Sequence, residues 1–416
     1  MYIIHLIGKE ILNQPEEYGI YETIYADLLQ KYDNSHVHFF VKSQKPLDNL
    51  PQWQAYSVYK NYADLLQQVQ SLHRTDLFIT TITEALVSSM HKLKRDIRQQ
   101  HTKKFNLFTN KAKERTIIWE VYPETVPNAV MIDKTLPLKP QIAGLDFPLM
   151  LKPIAWVGSR GVMKSFDLQE LKDNIENLDK TFNILAAKGI HNEEYIIEEF
   201  IDWPQFVINY WVDDTGKYYL SLPTHVKTTQ EIDIEWYGNR YRLITKDIYD
   251  YIDKKSMTTL IEKTIDAWHI RNTYISHNFR ITSNNKYKTI EINWRIWWYR
   301  LEMNRESAWY NLFDVSLDTS SYKEPKIQKN VMVMSIWAHK TWRLKWFNEE
   351  LIERIQDLPS YKSSRLKQQF KNKKVTFATN GWQTLWTIVC VHEDQQQFEK
   401  DIMFIEQQYK EICMIT

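Results

Sequence analysis

The sequence predicts a mixed α/β (α+β) fold in three units. An N-terminal doubly wound α/β unit covers residues 1–105, a central unit 106–325, and a small β-rich C-terminal unit 326–416. Three observations carry this. Apolar strands alternate with helical stretches over the first unit, the pattern of a parallel sheet. A strongly amphipathic helix splits the central unit into 106–195 and a hairpin-rich 196–325. Beyond Pro325 a last group of short strands and two helices follows.

In order, residues 2–7 read as a strand, Tyr18 to Lys31 as a helix, and His36 to Lys42 as a second strand alternating Val37, Phe39 and Val41. Asp76 to Thr80 reads as a third strand leading into a helix over Thr83 to Gln99. Gly8 is the one glycine immediately after the first strand, so a glycine-rich dinucleotide fingerprint is missing. Phe105 to Lys111 opens the central unit, and Phe147-Pro-Leu-Met-Leu-Lys-Pro153 is a strand whose lysine points away from its leucines. A loop, Trp156 to Val162, comes next. Asp167 and Glu170 form a capping-box pattern for a helix through Leu168, Leu171, Ile175, Leu178, Phe182 and Leu185, closed by Gly189. Tyr195 to Ile201 is a strand, and the strands Phe206 to Val212 and Tyr218 to Leu222 flank Asp213-Asp-Thr-Gly216 as a hairpin. A helix over 257–271 precedes the strand Tyr274 to Ile281, which turns at Ser283-Asn-Asn285 into a strand over 287–305. In the last unit, strands fall near 330–336, 374–378 and 386–391, with helices at Glu349–Leu358 and Gln395–Tyr409.

Bulk properties narrow the function classes. With 416 residues, 43% hydrophobic and 25% charged, the chain can bury a sizeable core. A net charge of +1 gives no bulk argument for nucleic acid or an anionic membrane. No apolar run approaches the roughly 18 residues of a membrane span, and the N-terminus reads as a first strand, not a signal peptide. Cys390 and Cys413 make neither a disulfide framework nor a metal cluster. A cytoplasmic protein is the expectation.

The chemistry concentrates at Glu291, Asn293 and Arg295. Spacing of two in a strand points all three side chains one way. A carboxylate, an amide oxygen and a guanidinium suit Mg²⁺ and a transferring phosphate; a solvated strand face is the other reading. Upstream, Gly158-Ser-Arg-Gly161 offers backbone N–H groups, a hydroxyl and a guanidinium to phosphate oxygens, or is a plain surface turn. Lys111 and Lys152, placed on neighbouring strands, would offset a triphosphate's charge; snorkelling surface lysines are the alternative. Glu198-Glu-Phe-Ile201 matches an adenine hinge or an ordinary strand.

In this order, Lys111, Leu-Lys-Pro, Gly-Ser-Arg-Gly-Val, Ile-Glu-Glu-Phe-Ile and Ile-Glu-Ile-Asn-x-Arg resemble the ATP-grasp superfamily over roughly residues 105–315. No single motif is specific; the ordered set is. The resemblance implies an ATP-grasp fold with ATP and Mg²⁺ as cofactors. Lys111 and Lys152 then match phosphate-holding lysines, and Ser159, Arg160 and Gly161 the phosphate-covering loop. Glu198, Glu199, Phe200 and Ile201 fall on the adenine hinge, and Gln205 takes the place of an acid that binds the ribose. Glu291 and Asn293 match Mg²⁺ ligands. Asn278 stands where an acid is usual, leaving a weaker neutral ligand. Arg295 and Arg300 match arginines that steady the acyl-phosphate and the substrate carboxylate.

The implied activity is a carboxylate–amine ligase: ATP phosphorylates a carboxylate, and an amine displaces the phosphate. Small-molecule acid and amine substrates are the implied partners, without nucleic acid or membrane, and a homodimer is left open. A carboxylase related to biotin carboxylase and a nucleotide-binding pseudoenzyme remain alternatives. His225 and His277 read as structural histidines. One departure stands out: the chain has 9 Gly against 16 Trp. Tryptophan occupies positions where the family carries glycine, at 203, 297 and 298, and turn-like or small-residue positions at 342, 382 and 386. Codons UGA read as glycine, as in some bacterial lineages, would produce this exchange; a Trp-lined pocket is the other reading.

Overall fold

A computed structural model describes residues 2–8, 36–43, 55–81, 83–107, 110–154, 161–186, 194–228, 239–282, 284, 286–295, 298–338, 341–367, 370–375 and 384–415. The first sheet is parallel in the order β3-β2-β1-β4, built from β1 (Tyr2–Gly8), β2 (His36–Lys42), β3 (Ala55–Tyr59) and β4 (Leu77–Thr81). Helices α1 (Tyr62–Ser71) and α2 (Val87–Asp96) pack on it through Leu65, Val69, Met90 and Leu93. β3 and α1 escaped the sequence reading. The expected helix over Tyr18–Lys31 lies outside the described residues.

Two further sheets frame the centre. A four-stranded sheet runs β5-β8-β6-β7, with β5 (Ala129–Met131), β6 (Leu149–Pro153), β7 (Met163–Ser165) and β8 (Tyr195–Glu199). The helix α4 (Leu168–Ala186) lies on it because its apolar stripe, Leu171, Leu178 and Phe182, buries against Leu149, Leu151 and Ile197. Its first turn is capped as the sequence predicts: the Glu170 N–H donates to the Asp167 carboxylate at 2.8 Å. Before it comes α3 (Lys111–Trp119), whose Asn110 cap accepts from the Lys113 N–H.

The largest sheet has nine strands, in the order β14-β13-β9-β11-β12-β15-β19-β17 with β10 beside β9. Its members are β9 (Gln205–Val212), β10 (Tyr218–Leu220), β11 (Thr224–Thr228), β12 (Asn239–Ile244), β13 (Thr273–Ile281), β14 (Tyr287–Asn293), β15 (Asn330–Ile336), β17 (Tyr361–Leu366) and β19 (Trp386–His392). Strands from 326–416 thus continue the central sheet. Helices α5 (Lys254–Trp268) and α6 (Trp298–Ala308) belong to the centre, and α7 (Glu349–Gln356) and α8 (Gln395–Gln407) pack with the C-terminal strands. A small sheet, β18-β16-β20, joins β16 (Trp342–Phe347) with β18 (Lys374–Val375) and β20 (Cys413–Ile415).

Three expectations need correction. Lys111 does not sit on a strand: it is the first residue of α3. The strand expected over 287–305 ends at Asn293, and α6 begins at Trp298, because the pleated alternation stops where the Trp-Arg-Ile-Trp run begins. Trp386 is no turn-like residue; it lies in β19 and is 1% exposed inside the C-terminal core. Trp309 is the opposite case. It ends α6 at φ +54° and is 78% exposed. The Tyr310 N–H reaches back to the Asn304 carbonyl, the closure glycine usually provides. Trp297 and Trp382, like the Trp298 and Trp342 side chains, lie outside the described residues.

Candidate functional site

Antiparallel register places directly opposed residues on one face. Glu291 opposes Asn278, and Asn293 opposes Ser276. On the next strand Asn278 opposes Val207, Ser276 opposes Asn209, and Arg280 opposes Gln205. Glu291, Asn293, Asn278 and Gln205 therefore share one face of the large sheet. The Asn293 Nδ2 donates to a Glu291 carboxylate oxygen at 3.3 Å.

Cations converge on these acids from α3 and β6. The Lys111 Nζ lies 3.3 Å from Glu291. The Lys152 Nζ contacts the Glu198 carboxylate, and Arg115 Nε holds the same carboxylate at 3.1 Å. Arg115 also pairs with Glu114 at 2.8 Å and donates to the Ile290 carbonyl. The Glu114 carboxylate accepts from the Ile292 N–H at 3.2 Å, which ties α3 to β14. Lys152, Glu198, Glu114 and Arg115 are all buried. Burial raises Glu198, but Arg115 and Lys152 outweigh it and hold the carboxyl below its usual value. Burial also opposes ionisation of Glu291, yet Lys111 and the Asn293 amide hold it low. Burial pushes Glu114 up to about 7 despite Arg115, with Glu291 adding to the rise. Lys152 is lowered by burial, which Glu198 only partly offsets.

The hinge is held from both sides. Phe200 lies between Lys164, 3.6 Å from its ring centroid, and Arg280 at 5.5 Å. Arg280 donates to the carbonyls of Ile201 and Trp203 and approaches the Gln205 amide oxygen at 3.5 Å. Glu199 accepts from the Asn128 amide at 2.7 Å. Glu198 points inward to the cations, not outward to a ligand. The cleft thus has a cationic wall, the Glu291 carboxylate beside the Asn293 and Asn278 amides, and an aromatic hinge.

A family model described as the ATP-grasp domain matches residues 145–296. That match spans a little over a third of the chain. No curated protein sequence matches the chain. Its fold is similar to that of an L-amino acid ligase from Bacillus licheniformis, at 14% identity and a TM-score of 0.74, covering 100% of this chain and 98% of that one. It is also similar to the N5-carboxyaminoimidazole ribonucleotide synthetase of Thermotoga maritima, at 11% identity, a TM-score of 0.63 and coverage of 100% and 99%. A third is the biotin carboxylase domain of the Hydrogenobacter thermophilus 2-oxoglutarate carboxylase, solved with MgADP and bicarbonate, at 12% identity, a TM-score of 0.63 and coverage of 100% and 90%.

Lys111, Lys152, Glu198, Glu291, Asn293 and Asn278 come together, and Phe200, Ile201 and Gln205 line the adjoining hinge. Ser159 and Arg160 lie outside the described residues. Gly161, next to them, takes φ +67°, a conformation that suits glycine. Arg295 is buried at the bend after β14 instead of continuing the strand. Arg300 stands on α6, buried and apart from these acids' ion pairs. His277 and His225 oppose Ile292 and Phe206, on the other face of the sheet. Burial lowers them to about 3 and about 4, so both are neutral.

Sequence reading missed Arg115, Glu114 and Arg280. Arg115 and Glu114 follow Lys111 by four and three, one face of a helix; Asn110 as a cap would have revealed it. Among the described residues no group of three His, Cys, Asp or Glu could hold a metal. That donor set still fits Mg²⁺, which binds through one or two carboxylates together with substrate phosphates and water. No helix among the described residues is long and apolar enough to cross a membrane.

Proposed function

We propose that the chain is a Mg·ATP-dependent ligase that joins a carboxylate to an amine. The observation that carries this reading is the set of paired charges contributed by α3, β6, β8 and β14: Lys111 with Glu291, and Lys152 and Arg115 with Glu198. In the proposed reaction a substrate carboxylate oxygen bonds the γ-phosphorus and ADP leaves. The amine nitrogen then bonds the acyl carbon, phosphate departs with the C–O electron pair, and the nitrogen loses a proton.

Lys111 and Lys152 turn from their acids toward the phosphates and stabilise charge developing in flight. Glu291, Asn293 and Asn278 would hold Mg²⁺, which supplies charge neutralisation between the phosphates. Arg295 steadies the acyl-phosphate. Phe200 and Ile201 seat the adenine edge, Gln205 meets the ribose hydroxyls, and Ser159, Arg160 and Gly161 cover the phosphates. Burial excludes water, which would otherwise hydrolyse the acyl-phosphate.

The test is phosphate release from Mg·ATP across a panel of carboxylates and amines. Release that needs both an acid and an amine, and that Glu291→Ala abolishes, is the expected result. Bicarbonate-dependent hydrolysis without amine would instead place the chain among carboxylases. Nucleotide binding with no turnover would make it a pseudoenzyme, a reading the neutral Asn278 favours. A second copy of the chain as a partner and a cytoplasmic location belong to the same proposal.

A further inference from the structure

The face that carries Glu291 and Asn293 does not stop at the nucleotide cleft. Val226 opposes Gln205 and Arg242 opposes Val226, so Arg242 on β12 lies on the same face. The face continues through Val333 and Ser335 on β15. Helix α6 covers it there, burying Met303 against Val331, Val333 and Ile244.

Beneath α6 the charges do not balance. The Arg300 side chain is buried, and its Nε and Nη1 have no hydrogen-bond partner among the described residues. Its charged neighbour is a second buried cation, Arg242, whose guanidinium lies 4.5 Å from the Tyr299 ring centroid and donates weakly to the Ser335 hydroxyl at 3.4 Å. Glu302, two residues further along α6, is taken by Arg365 at 3.3 Å. Burial, and next the charge of Arg242, bring Arg300 down to about 9. Two buried guanidinium groups with no acid beside them among the described residues are costly, because each loses its hydration with no counter-charge in return.

The floor between this pair and Glu291 is also unsatisfied among the described residues. Asn209, Ser276 and Thr224 lie on the same face, and the Asn209 amide and the Ser276 and Thr224 hydroxyls are buried without partners among the described residues. Buried polar groups of this kind ordinarily have a partner. The row therefore joins Asn293 to the space beneath α6.

We propose that Arg300 and Arg242 form an anion subsite for a substrate carboxylate that the ligation does not consume. This rests on the ligase reading. β14 and β12 are four strand spacings apart, about 19 Å at ~4.8 Å each. Even with arginine side chains reaching back, the group bound here is distinct from the carboxylate phosphorylated beside Glu291. It belongs either to the amine, which is then an amino acid, or to a second acid group on the activated substrate. A guanidinium pair binds a carboxylate with charge-assisted hydrogen bonds, which supplies the missing counter-charge.

The test titrates the full chain, holding Mg·ADP, with L-alanine, L-alaninamide, glutarate and acetate at matched ionic strength. Binding is read by thermal shift and calorimetry on wild type, Arg300→Gln and Arg242→Gln. L-alanine bound at least 10-fold tighter than L-alaninamide assigns the carboxylate to the amine; glutarate bound at least 10-fold tighter than acetate assigns it to the acid. In either case both variants lose that preference. Equal binding of each pair by wild type, or preference retained in both variants, overturns the proposal. Titration with Mg·ADP alone separates the two claims. A wild type that does not bind Mg·ADP sinks the ligase reading, whereas bound Mg·ADP with no carboxylate preference sinks the subsite alone. Melting of unliganded Arg300→Met guards against a folding defect: a melting point at or above wild type is expected of an unpaired arginine, and a fall of several degrees marks a structural role and overturns the assignment.

Discussion

The two ends of one sheet face handle charge in opposite ways. At the nucleotide end the buried cations have acids to hand: Lys152 and Arg115 share Glu198, and Lys111 meets Glu291. Beneath α6, Arg300 and Arg242 face each other without one among the described residues. A site balanced at rest can fold without ligand and trade internal pairs for ligand contacts. An unbalanced one stores a cost that only an incoming anion relieves. The first arrangement suits a ligand that brings its own metal ion, as Mg·ATP does. The second suits a bare carboxylate.

The largest expected effect is on the balanced end. Glu291→Ala removes the single carboxylate of the metal set and lowers turnover on the order of 10²-fold or more, measured as phosphate release. Next, Arg115→Ala strands Glu198 and Glu114 in the interior. It destabilises the chain by about 3–5 kcal/mol, read by chemical denaturation; a loss under about 1 kcal/mol would show the network to be wet. A smaller gain is expected at Trp309, whose left-handed backbone strains a large side chain that contacts little. Trp309→Gly stabilises by about 1 kcal/mol. Peptide mass spectrometry of the natively produced chain would read glycine there if UGA recoding accounts for the residue.

A pH effect contrasts Lys94 with the arginines. Lys94 is buried in the first unit, donates to the Asn272 carbonyl at 2.6 Å, and is brought down to about 7 by burial. The unfolded chain binds its proton more tightly, so this residue makes stability rise with pH between about 7 and the ordinary lysine value near 10.5. The contribution is lost as pH falls through 7. Lys94→Met flattens that rise; an unchanged profile would show the amine to be hydrated.

Much of the architecture was legible because it rests on periodicity. The alternation in β2 and the stripe of α4 each name their own element. Glu291 and Asn293 were legible for the same reason, since spacing of two on a strand fixes a shared face. Arg295 was misplaced because that alternation was carried past Asn293. Arg115 was missed because α3 is short and its charged face resembles a solvated one; only packing against β14 shows it to be buried. Arg242 was invisible to local pattern, since it meets Arg300 across nearly sixty residues of sequence.

The account's central claim is ligation driven by Mg·ATP at Glu291. The most direct test is phosphate release by wild type and Glu291→Ala with paired acids and amines. Release from wild type that requires both partners, and its loss in the variant, is the predicted result. Equal release by the two proteins would contradict it.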